Sequence, residues 1–93
     1  MLEREFEKKC IADVEVRGGL MWKWVSPGQN GVPDRIIFWP GGVVHFVELK
    51  KPGKRAEPYQ AIVHGWLRDR GTKVWVVNTP ELWNAYLREV GRE

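Results

Sequence analysis

The chain has a single cysteine, Cys10, among its 93 residues. One thiol cannot form an intramolecular disulfide, and it cannot supply the several thiolates of a structural zinc site. Cys10 lies four residues from both Phe6 and Val14, which places it on the apolar side of a helix, where a free cysteine acts as a small core residue. A disulfide-stapled fold and a thiolate zinc module are therefore excluded.

Long apolar runs are also missing, because charged residues such as Arg4, Lys8 and Asp13 interrupt the N-terminal region. No stretch has the apolar core of a signal peptide or the roughly 20 apolar residues of a membrane span. We expect a soluble, intracellular protein without a membrane partner. Repeats, low-complexity tracts and linkers are absent as well, so residues 1–93 are predicted to form a single domain.

The charge is only mildly basic, with 15 Lys and Arg against 12 Asp and Glu, a net charge of +3 and a pI near 9.2. This balance is compatible with a polyanionic partner but is weak evidence for one. The six tryptophans are many for so short a chain. We expect some in the core and others at a dimer interface or ligand surface. A homodimer is predicted, because it would compensate for the small core.

Apolar periodicity predicts the element order α-β-β-β-α-β-α. Glycines 18 and 19 end the first helix, and Pro-Gly-Gly at 40–42 makes a tight reversal between two antiparallel strands. Thr79 and Pro80 are typical of the N-cap and first position of the last helix. The predicted helices cover residues 3–17, 57–70 and 80 onward, and the predicted strands cover 20–25, 34–39, 43–50 and 73–77. This order predicts an α/β fold with a mixed sheet flanked by helices.

The informative segment covers residues 31–50. Alternation places Glu48 and Lys50 on one face of their strand, with His45 on the other face, and the hairpin brings Asp34 to the same end of the sheet. The two carboxylates and the backbone carbonyl of Leu49 are oxygen ligands suited to Mg²⁺, with Mn²⁺ as a substitute. Lys50 can orient an attacking water or neutralise developing charge. This set fits metal-assisted phosphodiester hydrolysis, although a Glu-Lys pair alone is more often a solvated ion pair.

Three motifs in order resemble the VRR-NUC family of the PD-(D/E)xK nuclease superfamily: Gly-Val-Pro-Asp-Arg at 31–35, Phe-Val-Glu-Leu-Lys at 46–50, and Pro58 with Gln60. The resemblance covers nearly the whole chain and implies a restriction-endonuclease-like α-β-β-β-α-β core with an added C-terminal helix. It implies that Asp34 and Glu48 bind the catalytic metal, that Lys50 is the catalytic lysine and that Gln60 supports the active centre.

Such families usually contribute a further acid from the first helix. Glu7 is the preferred candidate for this catalytic and metal-binding role, because it shares a helical face with Ile11 and Val14. Glu3, one turn earlier, is the alternative. A solvated surface glutamate remains the competing interpretation of Glu7, and a helix-capping role is the competing interpretation of Gln60.

Several residues are candidates for contacts with the DNA backbone, which fix register without reading sequence. Lys23 projects from the first strand, and the loop at 26–31, beginning with Ser26, has small residues that let a backbone approach a phosphate. Three cations, Lys51, Lys54 and Arg55, directly follow the predicted active-site strand.

Stand-alone VRR-NUC chains of this size resemble virus-encoded, dimeric Holliday junction resolvases. The resemblance therefore implies a metal-dependent endonuclease selective for branched DNA, with two active sites in a symmetric homodimer, acting in the host cytoplasm. Two alternatives remain open: a non-catalytic dimeric DNA-binding protein and a restriction-like endonuclease that cuts plain duplex. Metal-stimulated cleavage would exclude the first alternative, and cuts positioned by a branch point would exclude the second.

Overall fold

The computed structural model describes residues 3–92, apart from the Glu3 side chain, so the alternative first-helix acid lies outside the described residues. The elements are α1 (Glu3–Val16), β1 (Leu20–Lys23), β2 (Arg35–Trp39), β3 (Val43–Leu49), α2 (Pro58–Asp69), β4 (Val74–Val77) and α3 (Pro80–Val90). The predicted order of helices and strands is confirmed, including α3 as a C-terminal addition to the core. Thr79 caps α3 by accepting a hydrogen bond from the Leu82 N–H.

The four strands form one mixed sheet in the order β1-β2-β3-β4. β1, β2 and β3 are antiparallel neighbours, whereas β4 runs parallel to β3 and is reached through α2. The reversal between β2 and β3 uses Gly41 and Gly42 at φ values of +86° and +79°, which residues with a Cβ rarely adopt. This turn fixes the register that pairs Trp39 with Val43 and Arg35 with Val47.

The strands are shorter than the sequence predicts at four places, one of which is the start of β4 at Val74, one residue later than predicted. β1 ends at Lys23, two residues earlier than predicted. The Trp24 N–H still donates to the Asp34 carbonyl, but the chain then turns away from β2 at Ser26. Asp34 lies just before β2 and Lys50 just after β3, although both were predicted within strands. Asp34 and Lys50 therefore lie directly beyond strand ends, whereas Glu48 lies within β3.

The main core lies between one face of the sheet and the helices α1 and α3. Its buried residues are Cys10, Val14, Met21, Ile37, Trp39, Val47, Val77, Trp83 and Tyr86. Cys10 is buried as predicted, and burial raises the pKa of its thiol to about 12. His45 also lies on this face, as the strand alternation predicts, with Nδ1 2.8 Å from the Tyr86 hydroxyl.

The opposite face of the sheet is only partly covered. α2 packs over its β4 side, and β1, β2 and β3 carry a row of apolar side chains beyond it. We call this patch the open sheet face, and it comprises Leu20, Trp22, Phe38 and Val44. Trp22 packs edge-on against Phe38, with ring centroids 5.2 Å apart. None of the described helices is long and apolar enough to cross a membrane.

Candidate active site

Asp34 and Glu48 lie opposite one another at the end of the β2–β3 pair. The register that pairs Arg35 with Val47 places their neighbours Asp34 and Glu48 together on the other face of the sheet. The Asp34 N–H donates to Glu48 Oε1 at 3.2 Å, and the Leu49 N–H donates to Asp34 Oδ1 at 3.0 Å. Each carboxylate is therefore held by the backbone of the other strand.

Lys50 joins this pair from the end of β3. It shares a face with Glu48, and its Nζ lies 3.4 Å from Glu48 Oε2. The Lys50 N–H donates to the Val77 carbonyl at 2.9 Å, so β4 holds the backbone of the lysine in place. The structure thus brings together the three residues that the sequence places at one sheet edge, with the ammonium largely buried beside a carboxylate.

Gln60 contacts Glu48 from the first turn of α2. Its Oε1 accepts the Glu57 N–H at 2.9 Å, and its Nε2 donates to Glu48 Oε2 at 3.3 Å. The first contact fixes which end of the amide faces the site. One amide therefore makes both the capping contact and a contact to Glu48, and the supporting role of Gln60 in the active centre stays a prediction.

The two carboxylates are crowded and poorly solvated. Glu48 is buried. Burial raises the pKa of Asp34 to about 6; the nearby Glu48 charge also raises this pKa, while the hydrogen bond from the Leu49 N–H lowers it. Within residues 4–92 no hydrogen bond or ion pair occupies Asp34 Oδ2. A cation at this point would relieve the repulsion between the carboxylates.

The donor set suits one class of cation. Zinc is usually held by three or four nitrogen, sulfur or carboxylate ligands from the protein. The described part of the chain contains no group of three or more His, Cys, Asp and Glu side chains that could hold a metal. Mg²⁺ needs fewer protein ligands, because it retains several waters and binds through one or two carboxylates. The N–H and C=O of one residue point toward the same antiparallel neighbour, so the Leu49 carbonyl faces Asp34. These oxygens fit Mg²⁺ or Mn²⁺.

Glu7 has a different partner. It forms an ion pair with Arg35, which is buried beneath α1. Arg35 and Asp34 are successive residues and so point to opposite faces. Among the described residues Glu7 does not complete a three-ligand group with Asp34 and Glu48, and its metal-binding role stays a prediction.

Comparisons with known proteins bear on this arrangement. No family model matches the chain. A protein of Acyrthosiphon pisum secondary endosymbiont phage 1, named "Putative nuclease p44", is 41% identical over 80 residues, which is 86% of each chain. A solved structure titled "VRR_NUC domain" superposes with a TM-score of 0.86 at 31% identity, over 92% of this chain and 94% of that one. The chain belongs to the VRR-NUC family. The resemblance drawn from the motifs and the predicted fold are both confirmed.

The candidate DNA-binding residues of this VRR-NUC chain fall into two groups. Lys51, Lys54 and Arg55 are exposed on the segment between β3 and α2, directly after Lys50. Two hydrogen bonds order this segment. The Lys54 N–H donates to the Lys51 carbonyl at 3.0 Å and closes a turn, and Asn78 Nδ2 donates to the Lys54 carbonyl at 2.8 Å. It therefore presents three cations at the same end of the sheet as the carboxylates.

The other two candidates lie farther from that segment. Lys23 pairs with Arg35 across β1 and β2, so it shares the α1 face of the sheet and not the face of Glu48. Ser26 is half-buried at the start of its turn, where its carbonyl accepts the Gln29 N–H at 3.3 Å. Neither is brought to the carboxylates by a contact among the described residues.

His64 is the neighbour of the VRR-NUC site that sequence reasoning missed. It lies one turn after Gln60 on the same face of α2, is fully buried, and its Nε2 is 3.9 Å from Glu48 Oε1. Burial lowers the pKa of His64, and the charges of Arg68 and Lys50 lower it further, which favours a neutral ring. The available signal was its i, i+4 spacing from Gln60, which places the two side chains on one face of a helix.

Proposed function

We propose that this chain is a metal-dependent DNA endonuclease that hydrolyses phosphodiester bonds. The observation that carries the proposal is the meeting of Asp34, Glu48 and Lys50 at one sheet edge, with Lys50 Nζ 3.4 Å from Glu48 Oε2. Membership in the VRR-NUC family and the phage relative named as a nuclease support it. The pair is not an ordinary surface ion pair, because the Glu48 side chain is buried.

Each residue has a distinct part in the proposed reaction. Asp34, Glu48 and the Leu49 carbonyl would hold Mg²⁺ or Mn²⁺, which when bound supplies a polarised water and offsets charge at the phosphorus. Lys50 would orient the attacking water or balance the developing negative charge. Gln60 would keep the Glu48 carboxylate in one orientation through its Nε2 donor.

The proposed substrate is DNA held mainly through its phosphates. The cations at 51, 54 and 55 are exposed beside the catalytic candidates, and such contacts position a duplex without reading its bases. A double variant, Lys54→Ala with Arg55→Ala, is expected to weaken junction binding about tenfold and to reduce the salt slope of log K by about two. Fluorescence anisotropy at several salt concentrations measures both quantities.

A matched control for this prediction is Arg88→Ala combined with Arg92→Ala, because both arginines are exposed, in and just after α3, away from the segment between β3 and α2. It should leave affinity and salt slope unchanged. Equal losses in the control and in the variant of Lys54 and Arg55 would show that the effect is one of net charge and would contradict a local phosphate contact.

The open sheet face supports the proposed homodimer. Leu20, Phe38 and Val44 form a row across three strands, and Trp22 beside them is 56% exposed. Contiguous exposed apolar patches on small proteins mark interaction surfaces. A second copy packed on this face would give a symmetric dimer with two active sites, which suits the two-fold symmetry of a four-way junction.

The substitution Trp22→Arg is expected to convert the dimer to a monomer at micromolar concentration. The reason is that a guanidinium would replace an apolar contact within the proposed interface. Light scattering after size exclusion should give two chains of 10.8 kDa for the wild type and one for Trp22→Arg. Trp66→Arg is the control, since Trp66 lies on α2 and is similarly exposed, at 51%. A monomeric wild type, or dissociation of the dimer only in the control, would contradict this interface.

Cleavage of labelled four-way junction, flap and linear duplex of matched sequence tests the choice of substrate. We expect cuts positioned by the branch point, with the junction cut faster than the duplex. A single cut at a fixed sequence in linear duplex would favour a restriction-like enzyme. Binding of all three substrates without cutting in any divalent metal would favour a non-catalytic DNA-binding dimer.

A further inference from the structure

His64 is a buried polar side chain whose environment is incomplete. It has no exposed surface, and neither ring nitrogen has a hydrogen-bond partner among the described residues. Buried polar groups without partners are rare because each forfeits its hydration. The position therefore calls for an explanation beyond filling the space beneath α2, which a leucine or phenylalanine would do without that loss.

The nearest candidate partner is the Glu48 carboxylate. Nε2 of His64 lies 3.9 Å from Glu48 Oε1, about 0.7 Å beyond the usual range for a hydrogen bond. Oε1 already accepts the Asp34 N–H, and an ionised carboxylate oxygen can accept a second bond. A small rotation of the carboxylate or the ring would close the contact.

The contact would complete a two-sided support for Glu48. Gln60 donates to Oε2, and His64 approaches Oε1 from the next turn of the same helix face. We propose that His64 is a positioning residue, which donates from Nε2 to Glu48 Oε1 and so holds the carboxylate in its cation-binding orientation. This inference rests on the proposed metal-dependent function, and it assigns to α2 a pair of supporting donors in place of the single amide.

Two substitutions separate this role from simple packing. In His64→Gln the amide nitrogen occupies nearly the place of Nε2, whereas in His64→Asn it reaches only as far as Nδ1. Loss of a residue that supports a metal ligand typically weakens metal affinity 10- to 100-fold. We therefore expect His64→Asn to weaken Mn²⁺ binding at least about tenfold, and His64→Gln to bind Mn²⁺ close to the wild-type affinity.

The experiment is calorimetric titration of the whole chain with MnCl₂, beside thermal melts of the metal-free variants. His64→Phe is added as a third variant, because it keeps a ring and removes both nitrogens. The expected result is weakened Mn²⁺ binding in the Asn and Phe variants while the melting temperature of the Phe variant equals or exceeds that of the wild type. Such opposite movements are not produced by a merely structural histidine.

Three results would overturn the inference, and they are distinguishable. If the wild type binds Mn²⁺ and all three variants bind it equally well, His64 has no positioning role although the proposed nuclease function stands. If the wild type binds no Mn²⁺ and cuts no DNA, the proposed function fails and the role of His64 fails with it. Equal weakening in the Gln and Asn variants would also contradict donation from Nε2.

Discussion

Replacement of Lys50 by alanine is expected to lower the single-turnover cleavage rate of junction DNA by about 10²- to 10³-fold, while junction affinity changes little. The reason is that Lys50 Nζ lies within the site, beside Glu48, whereas the cations that follow it are exposed to solvent. Removal of one group that stabilises charge in a transition state costs a factor of this size. Quenched-flow cleavage with enzyme in excess measures the rate, and anisotropy measures the affinity.

Lys51→Ala is the matched control for this variant. Lys51 is the next residue and carries the same charge, yet its side chain is exposed to solvent. We expect it to change affinity modestly and the cleavage rate at saturating enzyme very little. Equal rate losses in the two variants would indicate that only the charge of the segment matters, and would remove Lys50 from the catalytic set.

Asp34→Asn is expected to make the metal-free protein more stable while abolishing its stabilisation by Mg²⁺. The asparagine oxygen can still accept the Leu49 N–H, but it carries no charge to repel Glu48. Since burial raises the pKa of Asp34 from 3.8 to about 6, this carboxyl favours the folded state most below about pH 4. That contribution is lost as the pH rises through about 6.

The size of the effect follows from the same shift. One pKa unit corresponds to 1.36 kcal/mol, and partial exposure reduces the total to about 1–2 kcal/mol. For a domain of this size, the Asn variant should therefore melt at least roughly 5 °C above the wild type at pH 7.5, and the gap should vanish near pH 4. Added Mg²⁺ should raise the melting temperature of the wild type alone.

Asp69→Asn serves as the control for the melting experiment, because Asp69 is exposed at the end of α2. Its melting temperature should follow the wild type at every pH and should respond to Mg²⁺ in the same way. A less stable Asp34→Asn protein, or a gap that persists at pH 4, would contradict the account of a crowded carboxylate pair.

The sequence predicts those parts of the site that depend on local geometry. Alternation along β3 places Glu48 beside Lys50, and Pro-Gly-Gly at 40–42 sets the register that brings Asp34 opposite Glu48. Both inferences need only the period of a strand and the length of a turn. The same reasoning predicts all seven elements. It misses the ends of some of them, by one residue in α1 and α2 and by two residues in β1, where the turn at Ser26 takes the chain away from β2.

The remaining features depend on tertiary packing that a linear pattern does not encode. The position of His64 beneath Glu48 requires knowledge of where α2 crosses the sheet. Glu7 lies on α1 as predicted, yet the buried Arg35 is its partner, and that pairing depends on how α1 sits on β2. Likewise, Lys23 points to the face opposite Trp22 as predicted. Only its pairing with Arg35 shows that this is the face covered by α1 and not the face of Glu48.

The most direct test of the central claim is cleavage of a labelled four-way junction by the wild type and by Glu48→Gln, each in Mg²⁺, Mn²⁺ and EDTA. Glutamine keeps the size of the side chain and removes its charge. The account predicts cutting by the wild type in either metal, and none in EDTA or by the variant at comparable times. Undiminished cutting in EDTA, or by Glu48→Gln in Mg²⁺, would contradict a metal-dependent site built on Asp34 and Glu48.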